Sequence, residues 1–169
     1  MPDGEREALD RVVAELGLEG LEPARVMQRL QAWLLREFRY SLRLEAPAPG
    51  QSALAEFLLH RRSGHCEYFA SAAVLLLRRA GIPARYVVGW SLQEYSPLEE
   101  AYVVRARHAH AWALAWVDGA WREFDPTPPD WSALEAEQRP WWASMQDLLS
   151  RLAYLLVAGE EGENRYAQR

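Results

Sequence analysis

The chain has 169 residues, half of them hydrophobic, with 8 Trp and a formal charge of −5. This is the composition of a folded chain long enough to bury a core, and it excludes a disordered or collagen-like one. With Arg scattered and no basic tail, it also excludes nucleic acid as the main partner.

All 19 basic side chains are Arg. Apart from its N-terminus, the domain therefore has no amine of its own to offer an acyl group. The single Cys rules out an internal disulfide, and without CxxC spacing a structural zinc site is not expected. The start, MPDGEREALDRVV, is acidic and has no apolar h-region, so it does not read as a signal peptide. The apolar run 152–159 is too short to span a bilayer.

In chain order, Leu9, Val12, Val13 and Leu16 have helical spacing, which predicts a helix over 5–18. Pro23 suits the first turn of a second helix, with Val26, Leu30, Trp33, Leu34 and Phe38 on one face. Residues 45–50 read as a loop. A short helix is expected around 52–61, broken by Ser63-Gly64.

Residues 66–80, CEYFASAAVLLLRRA, are apolar nearly all round, as in a helix buried on most sides. Arg78 and Arg79 complement its C-terminal dipole, and Gly81 and Pro83 end it. The period then changes to alternation, predicting strands at 84–90, 101–107, 109–117 and 120–125, with Asp118-Gly119 as a two-residue hairpin turn. Residues 126–140 read as irregular, and a last helix is expected at about 141–158. Helices followed by antiparallel strands make the class α+β, in a single domain over 1–169 with a helical N-terminal part at 5–61.

Cys66 opens the buried helix. The unpaired N–H groups there stabilise a thiolate and can also stabilise an oxyanion, with the Cys66 N–H as candidate donor. Gly64, just before, would let a substrate backbone approach. The hairpin supplies a base. If Asp118 and Gly119 form the turn, Val117 faces Ala120, Trp112 lies opposite Asp125, and His110 is diagonal to Asp125 on the same face. Diagonal neighbours are roughly 7 Å apart, within reach of long side chains.

Three ordered stretches, GHCEYFASAAVLLLRRAGIPARYVVGW, AHAWALAW and WREFDPTP, resemble the transglutaminase-like core. They are most similar to a bacterial branch, reading G-x-C-E-x-F-A, G-I-P-A-R, H-A-W and D-P-T, whose members carry the domain attached to membrane segments. The core motifs cover residues 63–128, and FRYSLRL and EFLLHRRSGHC extend the likeness upstream. The resemblance implies a papain-like fold in which the helix bearing Cys66 packs on an antiparallel sheet bearing His110 and Asp125. It also implies that Cys66 is the nucleophile, His110 the base and Asp125 the third member of a triad. Two positions depart from the pattern: Ala113 stands where an acidic residue is common, and His65 where another aromatic is.

Blander readings stand beside these. A lone Cys is usually a small core residue, and Asp-Pro often opens a turn. His108 is a rival base, but its strand position is roughly 13 Å from the Asp125 pairing position. His60 reads as solvent-facing. Trp90, His65 and Tyr40 are candidates for the substrate groove, whereas Trp112, Trp116 and Trp121 read as core or sheet-face aromatics.

The expected chemistry is acyl transfer through a thioester on Cys66. The acyl donor is a glutamine carboxamide or peptide carbonyl of a protein or peptide, and the acceptor an amine or water; no metal or cofactor is needed. A cysteine protease or amidase on the same fold is the first alternative, and a non-catalytic scaffolding domain of a larger membrane protein the second. The chain's ends fit either a soluble protein or the extracytoplasmic soluble part of a bacterial membrane protein.

Overall fold

The apolar stretch that begins at Cys66 becomes the central helix, and most of the remaining elements serve to fix its first residue. A computed structural model of the chain describes residues 3–44, 47, 52–96, 100–137, 145, 148, 149 and 152. The elements run α1 (Asp3–Glu15), α2 (Pro23–Glu37), β1 (Arg39–Tyr40), α3 (Ala53–Glu56) continued by a π-helical turn (Phe57–Arg61), β2 (Ser63–Gly64) and α4 (Cys66–Arg79). They continue with β3 (Ala84–Trp90), β4 (Glu94–Ser96), β5 (Ala101–Val103), a 3-10 turn (Ala106–His108), β6 (Ala109–Val117), β7 (Ala120–Phe124) and α5 (Trp131–Glu137). The class is α+β, as expected.

Two compact units result, residues 1–131 and 132–169. In the first, an antiparallel sheet of order β3-β6-β7 carries α4 on one face. From Ala111 on, the odd positions of β6, Ala111, Ala113, Ala115 and Val117, are buried, and three of these four are alanine, so the helix can lie close on the sheet. On the helix side Phe69, Leu76 and Leu77 are fully buried, each contributing about 1.5–3 kcal/mol of apolar burial. Gly81 has φ +84, the left-handed conformation that ends α4. In the second unit, Met145, Leu148, Leu149 and Leu152 are helical and exposed. The other positions of the helix expected at 141–158 lie outside the described residues.

An aromatic cluster ties the N-terminal helices to α4. Phe38 meets Trp33, Phe57 and Phe69 at ring separations of 4.7, 4.8 and 6.3 Å. This places β1 beside β2 in a short parallel pair, Arg39 against Ser63 and Tyr40 against Gly64. The Ser41 N–H donates to the Gly64 carbonyl at 3.0 Å. The segment leading into Cys66 is thus held by backbone hydrogen bonds.

Several expectations are corrected. The strand read over 101–107 stops at Val103, and the chain turns through Ala106–His108 before β6 begins. Residues 131–137, read as irregular, form α5, and β1, β2 and β4 are too short for alternation to reveal. Gly64 does not open a path for substrate. It is buried, and a Cβ there would lie 3.0 Å from the Tyr68 Cβ and 3.2 Å from the Phe57 ring. Its missing side chain makes room for α4 packing.

Candidate active site

Three separate segments bring the candidate residues together. Cys66 is the first residue of α4, His65 its N-cap, His110 the second residue of β6, and Asp125 directly follows β7. The β6–β7 hairpin has the expected register, from Val117 opposite Ala120 to Ala113 opposite Phe124. Its turn residues Asp118 and Gly119 have φ +52 and +75, the paired left-handed conformations of a tight hairpin. Continued one step, this register sets Asp125 opposite Trp112, diagonal to His110.

The side chains use that placement. His110 Nε2 lies 2.7 Å from Asp125 Oδ2, and Asp125 Oδ1 accepts the Thr127 N–H at 3.0 Å. Asp125 therefore opens a turn and also binds the imidazole: the two readings of Asp-Pro hold together. His110 Nδ1 is buried, with no nitrogen or oxygen partner among the described residues. Since Nε2 is engaged by Asp125, Nδ1 is the nitrogen left for the Cys66 thiol.

The electrostatics couple the three groups. Burial pushes the Cys66 thiol up, but hydrogen bonds from His110, His65 and the Ala111 N–H, with the charge on His110, bring its pKa down to about 7. For His110, burial works against the charged ring. Hydrogen bonds to Asp125 and Cys66, and their negative charge, outweigh it and raise its pKa to about 9. Burial likewise raises the Asp125 carboxyl, yet its bonds to His110 and Thr127 leave it below the ordinary value. A thiol brought down to about 7 beside an imidazole raised to about 9 favours a thiolate–imidazolium pair between those values.

Helix geometry adds a further donor. The His65 carbonyl accepts from the N–H groups of Tyr68 and Phe69. The Cys66 N–H precedes them, at the helix end where no intrahelical acceptor exists.

Of the groove candidates, His65 contacts the thiol and lies 3.8 Å from Glu67. Tyr40 is buried behind the site, its ring 6.3 Å from that of Trp131. Trp90 is 61% exposed at the end of β3, opposite Ala109 and next to Gly89, which pairs with His110. His60 is exposed. His108 is buried in the 3-10 turn; its Nδ1 accepts the Arg105 N–H at 3.3 Å, and its carbonyl accepts the Ser91 N–H at 2.8 Å. Burial and the Arg107 charge lower its pKa, so it serves as a neutral brace ahead of β6. Strand alternation puts Ala113 on the face of β6 opposite His110, and it is fully buried. An acidic residue missing there takes nothing from the surroundings of the imidazole.

Beside His110 stand Trp112, expected only as a core or sheet-face aromatic, and Trp131, for which the sequence offers no role. Trp131 stacks on the imidazole at 4.3 Å with planes 7° apart, and Trp112 stacks on it at 6.1 Å and 18°. The only sequence signal for Trp131 is a large aromatic in a Pro-rich stretch, where local structure gives it no partner.

A family model described as the transglutaminase-like superfamily matches residues 11–126. The chain is 38% identical over 104 residues to a protein-glutamine gamma-glutamyltransferase of Pseudomonas aeruginosa, covering 59% of this chain and 16% of that protein. It is 36% identical over 86 residues to the Bacillus subtilis protein YebA, covering 48% of this chain and 12% of that one. Among solved structures, the periplasmic domain of TgpA from Pseudomonas aeruginosa, bound to ethylmercury, superposes with a TM-score of 0.65 at 31% identity. That likeness covers 82% of this chain and 49% of the TgpA domain. The chain thus spans about half of the TgpA domain and a smaller part of the curated relatives it matches.

Proposed function

From the premise that the chain belongs to the transglutaminase-like superfamily, we propose that it transfers acyl groups through a thioester on Cys66, with His110 as proton carrier and Asp125 as its orienting carboxylate. The observation that carries this reading is the position of the His110 ring, with Nε2 on Asp125 at 2.7 Å and Nδ1 buried and left for the thiol.

The steps follow from that arrangement. The thiolate attacks the carbonyl carbon of a glutamine carboxamide, and the Cys66 N–H donates to the developing oxyanion. Imidazolium His110 gives its proton to the departing nitrogen, and ammonia leaves as the C–N bond breaks. A thioester and a neutral imidazole remain. A neutral primary amine then attacks the thioester, His110 takes up the proton released, and the C–S bond breaks to restore thiolate and imidazolium. If water attacks instead, the glutamine becomes glutamate. Asp125 keeps Nδ1 aimed at the sulfur and stabilises the ring's charge throughout. Since the 169 residues contain no Lys, no side chain among them can serve as the acceptor amine.

We place the domain outside the cytoplasm as a segment of a longer protein. The support is its likeness to the TgpA periplasmic domain. No helix among the described residues is long and apolar enough to cross a membrane.

The test is mass spectrometry of a glutamine-containing peptide incubated with a primary amine, using Cys66→Ala as the blank. The expected product is the amine adduct, formed with loss of ammonia and absent with Cys66→Ala. Deamidated peptide alone would make the domain an amidase. No product from wild type across a panel of peptides and amines would favour the binding-domain reading.

A further inference from the structure

We propose that Trp131 is a positioning residue whose stacked indole, with the near-parallel ring of Trp112, clamps the His110 imidazole so that Nδ1 stays aimed at Cys66 and the positive charge rests against an aromatic face. This rests on the reading of His110 as the proton carrier.

A single in-plane hydrogen bond at Nε2 fixes one point of the imidazole and leaves the ring free to tilt about the line from Cβ to Nε2. A parallel indole stacked on the ring restrains that tilt. Trp131 stacks on the ring at 4.3 Å and 7°, and Trp112 lies nearly parallel to it at 6.1 Å and 18°. Both His110 and Trp131 are 8% exposed, so the indole also keeps water off the ring. Trp112 is itself held: its ring lies across Gly89, where a Cβ would come within 2.8 Å.

Trp131 further joins the two halves of the site. Its other neighbour is Tyr40 at 6.3 Å, and Tyr40 is paired with Gly64, two residues before Cys66. The indole therefore stands between the strand that leads to the thiol and the ring that must meet it, and sets their separation.

The clamp also has an electrostatic consequence. An aromatic face attracts a cation, indole more than benzene, so stacking favours imidazolium over imidazole. The titratable groups acting on His110 are Cys66 from α4 and Asp125 after β7. Around the thiol the further titratable groups are His65, with Glu67 3.8 Å from it, and Tyr86. None of these is altered by changing Trp131, so a shift in the titration of His110 would report the stack itself.

The test compares wild type with Trp131→Phe and Trp131→Leu, reading kcat/KM for amine incorporation against pH and the NMR titration of the His110 Cε1–H. In wild type that resonance should lie upfield of the other three His, because the ring current of a stacked indole shields it. Trp131→Leu should lower the midpoint near pH 9 by about one pH unit and kcat by about tenfold, with KM little changed. Trp131→Phe should restore most of both. If the leucine variant does not fold, the phenylalanine variant carries the test, with a midpoint lowered by about 0.3 units. An unshifted midpoint in the folded variants would overturn the clamp. An inactive wild type whose His110 titrates as an ordinary imidazole would instead overturn the reading of the site.

Discussion

Replacing His110 by alanine should lower kcat/KM for amine incorporation by about a thousandfold, the usual scale for losing a positioned proton carrier. Two losses combine. The leaving nitrogen no longer receives a proton, and the thiol loses the hydrogen bond and charge that offset its burial. Its titration should therefore move up from about 7 toward the ordinary thiol range. The variant's residual activity should rise with pH beyond 9, where wild type has begun to lose its imidazolium. Measuring kcat/KM from pH 5 to 10 for both proteins checks this. A variant that keeps wild-type activity, or a wild-type optimum outside the window between the two limbs, would remove His110 from the mechanism.

Asp125→Ala should cost about a hundredfold in kcat/KM, less than the loss of the imidazole because the ring itself remains. The hydrogen bond to Asp125 is the foremost effect raising the His110 pKa, so without it the upper limb should fall from about 9 toward the ordinary imidazole value. Asp125→Asn should lower the upper limb as well, since the amide carries no charge and has one oxygen for the two donors, the His110 ring and the Thr127 N–H.

The same pair predicts a dependence of stability on pH. The folded His110 pKa is raised, so its contribution is fully present below the unfolded value near 6.5 and is lost as pH rises through about 9. The folded Asp125 pKa is lowered, so its contribution is present above the unfolded value near 3.8 and is lost as pH falls through the depressed one. The difference in melting temperature between wild type and Asp125→Ala should be largest between these limits, around pH 5–6, and should shrink toward both extremes. A difference independent of pH would mean that the two groups do not act as a charged pair.

Much of this site could be read in the sequence because it depends on local signals. The Asp118-Gly119 turn set the β6–β7 register, and register alone carried Asp125 to His110. The change from an all-round apolar helix to alternation marked Cys66 as a helix start. What escaped depends on tertiary packing. Alternation over 101–107 was read as a strand, yet Arg105 reaches across to Glu94 with two bonds of 2.8 Å and the chain turns there. That contact between β4 and the segment after β5 has no sequence period. Gly64 read as an opening to substrate because glycine permits close approach, but the groups approaching are Tyr68 and Phe57. Trp131 gives no local signal because its partners, Tyr40 and His110, are 91 and 21 positions away in the chain.

The most direct test of Cys66 as an activated nucleophile is its rate of alkylation by iodoacetamide against pH, with the protein folded. As the only cysteine in the chain, it reports without interference. The expected wild-type curve has its midpoint near pH 7, displaced to higher pH in His110→Ala. A wild-type thiol that resists alkylation while folded, or that titrates like a free cysteine in both proteins, would contradict the assignment.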